Sequence, residues 1–304
     1  MSEIAASPRI RRVLVSAADE PYGALLSNLV DSIDIRRPRA EDKFETSVAV
    51  LDCGMNEDQR RALADRNVRL VVPSWDYNGS FPGPWFKAMT ARPHLPKWVP
   101  GHDLYIWIDA DAWIQDWTSI EMLSQAALES GFAAVPECDR AYPELIGPAP
   151  DALTGPVMEW RYACIREMFG RAAADRLAGY ATINSGVFAA RRESPVWARW
   201  VTEMGHALSQ GRRNRFFADQ TSLNFVLLQM PAFARLPASC NWMCNRRLPM
   251  LMGDILVEPE YPHAPLGIVH TTGKTKHRRW QLARREGGVA YRTLHYGDTP
   301  RALP

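Results

Sequence analysis

Short apolar runs alternate along this chain with stretches in which apolar residues recur at helical spacing. Residues 13–17 form one such run, and after Asp19-Glu20-Pro21 the side chains of Leu25, Leu26, Leu29, Val30 and Ile33 fall on one helical face. Residues 47–51 form a second run, leading through Asp52 to Gly54 into the polar, alanine-bearing stretch 57–66, and residues 68–72 form a third. Two successive βαβ units follow from this order. They predict an α/β fold with a Rossmann-like, doubly wound, mostly parallel sheet flanked by helices. Further along, strands are expected at 104–108 and 132–135, with a helix over 119–130 between them. Residues 182–188 are apolar but interrupted by Asn184-Ser185-Gly186. Helices are expected near 195–209 and over 220–230, and a strand at 267–269 leads into His270.

Between the third and fourth strands the chain is dense in Trp75, Tyr77, Gly79, Pro82, Gly83, Pro84 and Trp85, which suits a loop over a site better than a regular element. No internal repeat or low-complexity tract is present. The best boundary lies near Thr271, giving one catalytic-sized domain over 1–270 and a short basic C-terminal extension over 271–304.

Composition narrows the classes. With 304 residues and 46% apolar content the chain can bury a substantial core. Its 36 basic and 34 acidic residues leave a charge of +2, so nothing in the overall balance points to nucleic acid or a membrane. No run approaches the roughly 18 apolar residues of a membrane span, and residues 1–12 lack the apolar core of a signal peptide. A cytoplasmic protein is the resulting expectation. The five cysteines, Cys53, Cys138, Cys164, Cys240 and Cys244, are odd in number and scattered, as reduced thiols are, and no second pair completes a zinc site with Cys240 and Cys244. Eleven tryptophans favour a carbohydrate ligand, because sugar rings lie against aromatic faces.

Candidate chemistry clusters at strand ends. Asp109 and Asp111 follow the buried strand, and residues two apart on an extended chain point the same way, so their carboxylates can meet at one point. Two hard oxygen ligands suit a divalent cation, which a diphosphate leaving group needs; solvated loop acids are the plainer alternative. In open α/β sheets, ligands bind at the carboxyl ends of strands. His270 precedes Thr271-Thr272-Gly273-Lys274-Thr275-Lys276: an imidazole beside two carboxylates favours Mn over Mg, and lysines after a glycine turn can grip phosphate. A structural hydrogen-bonding histidine is the alternative there. Asn184-Ser185-Gly186 reads as a turn and Asp219 as a helix N-cap before Gln220; such a cap still offers an oxygen to a sugar hydroxyl, with Gln220 able to point inward.

Together these residues resemble the retaining glycosyltransferases of family 8, the galactosyltransferase and glycogenin-like group with the GT-A fold. Ala17-Ala18-Asp19-Glu20-Pro21-Tyr22 resembles that family's nucleotide-binding start, and Val50-Leu51-Asp52-Cys53-Gly54-Met55 its second strand. The resemblance continues in order through Trp85-Phe86-Lys87, Ile108-Asp109-Ala110-Asp111, Asn184-Ser185-Gly186-Val187, Asp219-Gln220, Asn241-Trp242 and the segment from His270 to Lys276. It implies a UDP-sugar donor carrying a hexose, glucose or galactose, and Mn2+ (or Mg2+) held by Asp109, Asp111 and His270. It implies Asp19 and Tyr22 near the uracil, Lys87, Asn184 and Asp219 near the donor sugar, Gln220 below the anomeric carbon and Lys276 on the diphosphate. Ala17, Ala110, Ser185 and Gly273 fall to the donor site in the same matched segments.

Three departures stand out. The family's Asp-Gln-Asp becomes Asp219-Gln220-Thr221, which removes one candidate nucleophile. Its Lys-Pro-Trp ending becomes Lys276-His277-Arg278, with Trp280 displaced. The acid usually found after the fifth strand is either Glu137 or Asp139. Gln220 is a poor nucleophile, so front-face attack with retention of the anomeric configuration is expected.

Two rival readings differ in class. A sugar nucleotidyltransferase would need a Gly-rich pyrophosphate loop where Ala17-Ala18-Asp19-Glu20 stands. A non-enzymatic protein binding anionic surfaces or nucleic acid would use Lys274, Lys276, His277, Arg278, Arg279, Arg284 and Arg285 around Trp280 and Leu282, a cluster that is usually a solvated tail. A weak peripheral contact with the inner face of a membrane is compatible with transferase activity, because lipid-linked acceptors would be reached that way. The acceptor, a saccharide or another hydroxylated molecule, is expected to be shaped by residues 75–85 and 136–156.

Overall fold

Strand β1 (Ile10–Ala18) turns into α1 (Gly23–Arg36), β2 (Phe44–Asp52) into α2 (Glu57–Ala64), and β3 (Arg69–Val71) completes the first half of the fold. After a long connection carrying the single-turn helices α3 (Lys87–Thr90) and α4 (Leu95–Trp98), β4 (Leu104–Ile108) turns directly into β5 (Ala112–Ile114). Helix α5 (Thr118–Ser130) leads to β6 (Phe132–Pro136), then come α6 (Thr154–Phe169), α7 (Arg171–Leu177), β7 (Ile183–Arg191), α8 (Val196–Gln210) and α9 (Ala218–Leu227). Short strands follow: β8 (Ala234–Arg235), β9 (Trp242–Met243), β10 (Met250–Met252), β11 (Ile255–Val257), β12 (Ile268–His270), and the hairpin of β13 (Trp280–Ala283) with β14 (Val289–Arg292). This computed structural model describes residues 9–41, 43–142, 154–213, 215–230 and 232–298, with the backbone alone for 154–159. Most of the expected acceptor region 136–156, and the first eight residues, therefore lie outside the described residues.

Among the described residues the main sheet has the order β3-β2-β1-β4-β7-β6-β8. Strands β1 to β4 pair in parallel and β6 pairs in parallel with β8; β7 alone runs against its neighbours. The mostly parallel, helix-flanked α/β sheet expected from the sequence is thus present. Its central strand β4 is apolar and buried at every position because both faces are covered, and β1 is buried from Arg12 onward. Val13, Val15, Tyr105 and Trp107 point into one core with Trp197, Trp200 and Met204 of α8. Leu14, Leu104, Ile106 and Ile108 alternate into the other, against Leu26, Leu29 and Ile33 of α1 and Ile120 and Leu123 of α5. Arg12 breaks this pattern. It is fully buried, and donates to Thr46 Oγ1 at 2.9 Å, Ser124 Oγ at 2.8 Å and Glu41 Oε1 at 2.6 Å, so the buried charge is paired and hydrogen-bonded.

A second sheet, β5-β12-β9, leans on a third core in which Leu282 and Leu294 pack with Trp113 and Trp242. Here β12 runs antiparallel to β5, and the register sets His270 opposite Ala112. That pairing brings the C-terminal part of the chain to the turn after β4. Two local expectations are corrected by this packing. Asn184-Ser185-Gly186 is not a turn but part of β7, its polar side chains held by partners on α9 and in the short helical turn before β9. Asp219 is the second residue of α9 rather than its N-cap, and its carboxylate meets side chains instead of backbone amides. Among the described residues no helix is long and apolar enough to cross a membrane.

Candidate active site

A cavity of about 740 Å³ opens at the carboxyl ends of the adjacent parallel strands β1 and β4. Ala17, Asp19 and Tyr22 line it after β1, and Asp109, Ala110 and Asp111 after β4. Asn184 and Ser185 come from β7, Asp219 and Gln220 from α9, and His270, Gly273 and Lys276 from the segment that β12 delivers. Lys87 is not in the lining, nor are the alternative acids Glu137 and Asp139; the Lys87 ammonium stands 5.4 Å from the ring centre of Trp75, a cation–π distance. Trp85, Met89, Phe216 and Phe217 add apolar surface to the lining.

Asp109 and Asp111 do converge, though not along an extended chain. The amide of Ala112 donates to the Asp109 carbonyl at 2.9 Å, closing a tight turn over 109–111 that swings both carboxylates to one side. His270 Nε2 lies 3.8 Å from Asp109 Oδ2 and 3.3 Å from Asp111 Oδ1, and the three ligand atoms fall within 4.8 Å of one another. Behind them sits Gly186, where a Cβ would stand 2.5 Å from His270 Cε1 and 2.7 Å from Asp109 Oδ2. A glycine is required for the three groups to meet. This oxygen, oxygen, nitrogen donor set, partly to fully buried and backed by a residue without a side chain, could hold a divalent cation.

Charge coupling is strong here. Burial would push the Asp111 carboxyl up, but His270 and Lys276 outweigh it and hold the group well below the usual carboxylate range. Burial likewise pulls His270 down, while Asp111 and Asp109 raise it above the ordinary imidazole value. Lys276 Nζ stands 2.6 Å from Asp111 Oδ2 and donates to the Tyr22 hydroxyl at 2.9 Å, so its ammonium is held at the cavity lining between the two. Burial lowers its pKa and Asp111 more than restores it.

Arg92 was not legible in the sequence. It is buried, lies over the Trp107 ring at 4.9 Å, donates to Ser185 Oγ at 2.9 Å and forms ion pairs with both Asp109 and Asp219. Its neighbours come from β4, β7 and α9, and no spacing pattern around Arg92-Pro93 marks it. Asn245, also lining the cavity, was missed for the same reason. Of the two acids after β6, Glu137 turns inward to Gln220 Nε2 at 3.3 Å, whereas Asp139 accepts from the Ala141 amide at 2.9 Å and closes a local turn.

No family model and no curated protein matches the sequence. Among solved structures the chain is similar to the galactosyltransferase LgtC in complex with donor and acceptor sugar analogues, at 17% identity and a TM-score of 0.54, covering 88% of this chain and 90% of that one. It is similar to an active-site glutamine-to-glutamate mutant of LgtC at 17% identity and a TM-score of 0.55, with the same coverage. A third likeness is to the apo form of the bifunctional glycosyltransferase WbbM, at 15% identity and a TM-score of 0.52, covering 87% of this chain and 46% of that one. At such identities the likeness is one of architecture: this chain has the GT-A-like fold of the glycosyltransferases.

Proposed function

We propose that this protein is a metal-dependent glycosyltransferase that moves a hexose, glucose or galactose, from a UDP-sugar to an acceptor hydroxyl with retention of configuration. The observation that carries the reading is the meeting of Asp109, Asp111 and His270 within 4.8 Å, beside the Lys276 ammonium, at the wall of a cavity about 740 Å³ in volume. A divalent cation bound by the three would neutralise charge on the diphosphate as it leaves.

The chain's own residues divide the remaining work. Asp19 and Tyr22, at the end of β1, stand where the nucleoside would lie, and Lys276, steadied by Tyr22 and Asp111, would donate to a diphosphate oxygen. Arg92 and Ser185 hold Asp219 beside the site of the donor sugar, and Asn184 stands next to Gln220. Gln220 presents an amide, and Thr221 follows it, so no free carboxylate stands at this point of α9 to attack the anomeric carbon. Front-face transfer follows. The acceptor oxygen bonds to the anomeric carbon as the bond to the diphosphate oxygen breaks, and the hydroxyl proton passes to that departing oxygen. The acceptor is a saccharide or another hydroxylated molecule.

Screening UDP-sugars for metal-dependent hydrolysis, followed by transfer and NMR assignment of the product anomer, tests the reading. Release of UDP only with Mn2+ or Mg2+ present, and a retained linkage, is expected. A panel in which no nucleotide sugar is hydrolysed or shifts the melting temperature would sink it, and an inverted linkage would remove the front-face step.

A further inference from the structure

A continuous set of buried polar side chains leads away from His270 on the side opposite the carboxylates. Its imidazole Nδ1 lies 2.9 Å from Asn241 Oδ1, Asn241 Nδ2 lies 3.0 Å from Asn184 Oδ1, and Asn184 Nδ2 lies 3.1 Å from Glu137 Oε1. Glu137 Oε2 is paired with Arg246 at 2.5 Å. Glu137, Asn184, Asn241 and His270 are each buried, so water cannot readily substitute for a missing partner.

The polarity of this chain is forced from its ends. Both oxygens of Glu137 face donors, Oε2 the Arg246 guanidinium and Oε1 Asn184, so Asn184 must turn its NH2 group toward it. The same orientation is demanded independently by the backbone amide of Gly186, which donates to Asn184 Oδ1 at 2.9 Å. Asn241 must then give its NH2 to Asn184 and its carbonyl oxygen to the imidazole. Facing an acceptor, Nδ1 of His270 carries a hydrogen, which leaves Nε2 as the nitrogen that a cation at the meeting point of Asp109 and Asp111 would take. Gln220 is oriented by the same acid, its Nε2 toward Glu137 and its Oε1 toward the Ser185 amide at 3.3 Å.

We propose that Glu137, together with the Gly186 amide and acting through Asn184 and Asn241, is a positioning residue that sets the tautomer of His270 and thereby makes Nε2 a metal ligand. Arg246 holds Glu137 as an acceptor, and the acid that orients the Gln220 amide also governs the metal side of the site. This rests on the metal reading given above.

The test is Mn2+ binding without any nucleotide or sugar, read by calorimetry or by loss of the free Mn2+ paramagnetic resonance signal. Glu137→Gln keeps size but puts an NH2 group against a donor. Its Mn2+ dissociation constant is expected to rise about 10- to 100-fold, the effect typical of lost outer-shell partners, and Asn241→Leu should do the same. Unchanged affinity in folded Glu137→Gln overturns the inference. Because either variant could fail to fold, 15N imidazole spectra of the wild-type protein loaded with diamagnetic Mg2+ provide a second arm: a hydrogen on Nδ1 and none on Nε2 is expected, and the opposite tautomer overturns the inference. A wild-type protein that binds neither ion removes the metal reading itself, whereas binding that is indifferent to Glu137 removes only the link proposed here.

Discussion

The ammonium of Lys276 stands 2.6 Å from Oδ2 of Asp111, joining the C-terminal segment to the turn after β4 through a largely buried ion pair. The pair places a positive charge next to the carboxylates without cancelling them, since Asp109 and the other Asp111 oxygen still face His270. Replacing Lys276 with Ala is expected to lower kcat/KM about a hundred- to a thousandfold, the equivalent of roughly 3–4 kcal/mol of lost charge stabilisation. Asp111→Ala and His270→Ala should lose at least as much. Steady-state kinetics with the preferred UDP-sugar decide this, and near-normal turnover in any of the three would contradict its assigned role.

Arg92 bridges Asp109 and Asp219, and stability should report its loss as clearly as activity does. Arg92→Met leaves two carboxylates without their shared partner in a buried setting. A destabilisation of about 3–5 kcal/mol is expected in urea unfolding. Arg92→Lys should recover only part of it, because a single ammonium cannot span both acids as a guanidinium fork does.

At Gly186 a single methyl group would collide with His270, Asp109 and Asn184 together, at 2.5, 2.7 and 2.8 Å. Gly186→Ala is expected to cost about 1–3 kcal/mol as overpacking. Its sharper signature should be weakening of Mn2+ binding by at least about tenfold. Retained affinity would mean that the three ligands can separate without losing the ion.

Asp52, outside the candidate metal cluster, supplies a pH-dependent contribution. Its Oδ1 accepts from the Gly54 and Met55 amides and its Oδ2 from Arg60 at 2.7 Å, while the Gly54 carbonyl takes the Glu20 amide and so steadies the segment leading to Tyr22. Burial would raise the Asp52 pKa, but Arg60 and the two amides win and lower it. A carboxyl depressed on folding stabilises above its unfolded value and loses that contribution as pH falls through the folded one. Asp52→Asn should therefore cost about 1.5–3 kcal/mol at neutral pH. The deficit should shrink steadily below the usual carboxylate range. A deficit independent of pH would show that the side chain acts by shape alone.

Much of the architecture was written locally. Leu104 to Ile108 are apolar at every position because the strand is covered on both faces, and the helical spacing of Leu25, Leu29 and Ile33 is the imprint of one buried stripe. Asp109 and Asp111 were conspicuous for the same reason, as paired charges at the end of such a strand. Gln220 and Lys276 were visible as a residue following Asp219 and a lysine after a glycine turn, and their assigned roles came from an ordered resemblance along the chain.

What the sequence by itself determined was the alternation of strands and helices and the end of the sheet at which chemistry would gather, since burial periodicity and charge placement are properties of neighbouring residues. Only the tertiary structure decided that His270 registers against Ala112, that Arg92 joins Asp109 to Asp219, and that Glu137 reaches His270 through two asparagines. Those relationships depend on how separate elements pack across the sheet, and a buried polar side chain leaves no periodic trace when its partners lie far away in the chain.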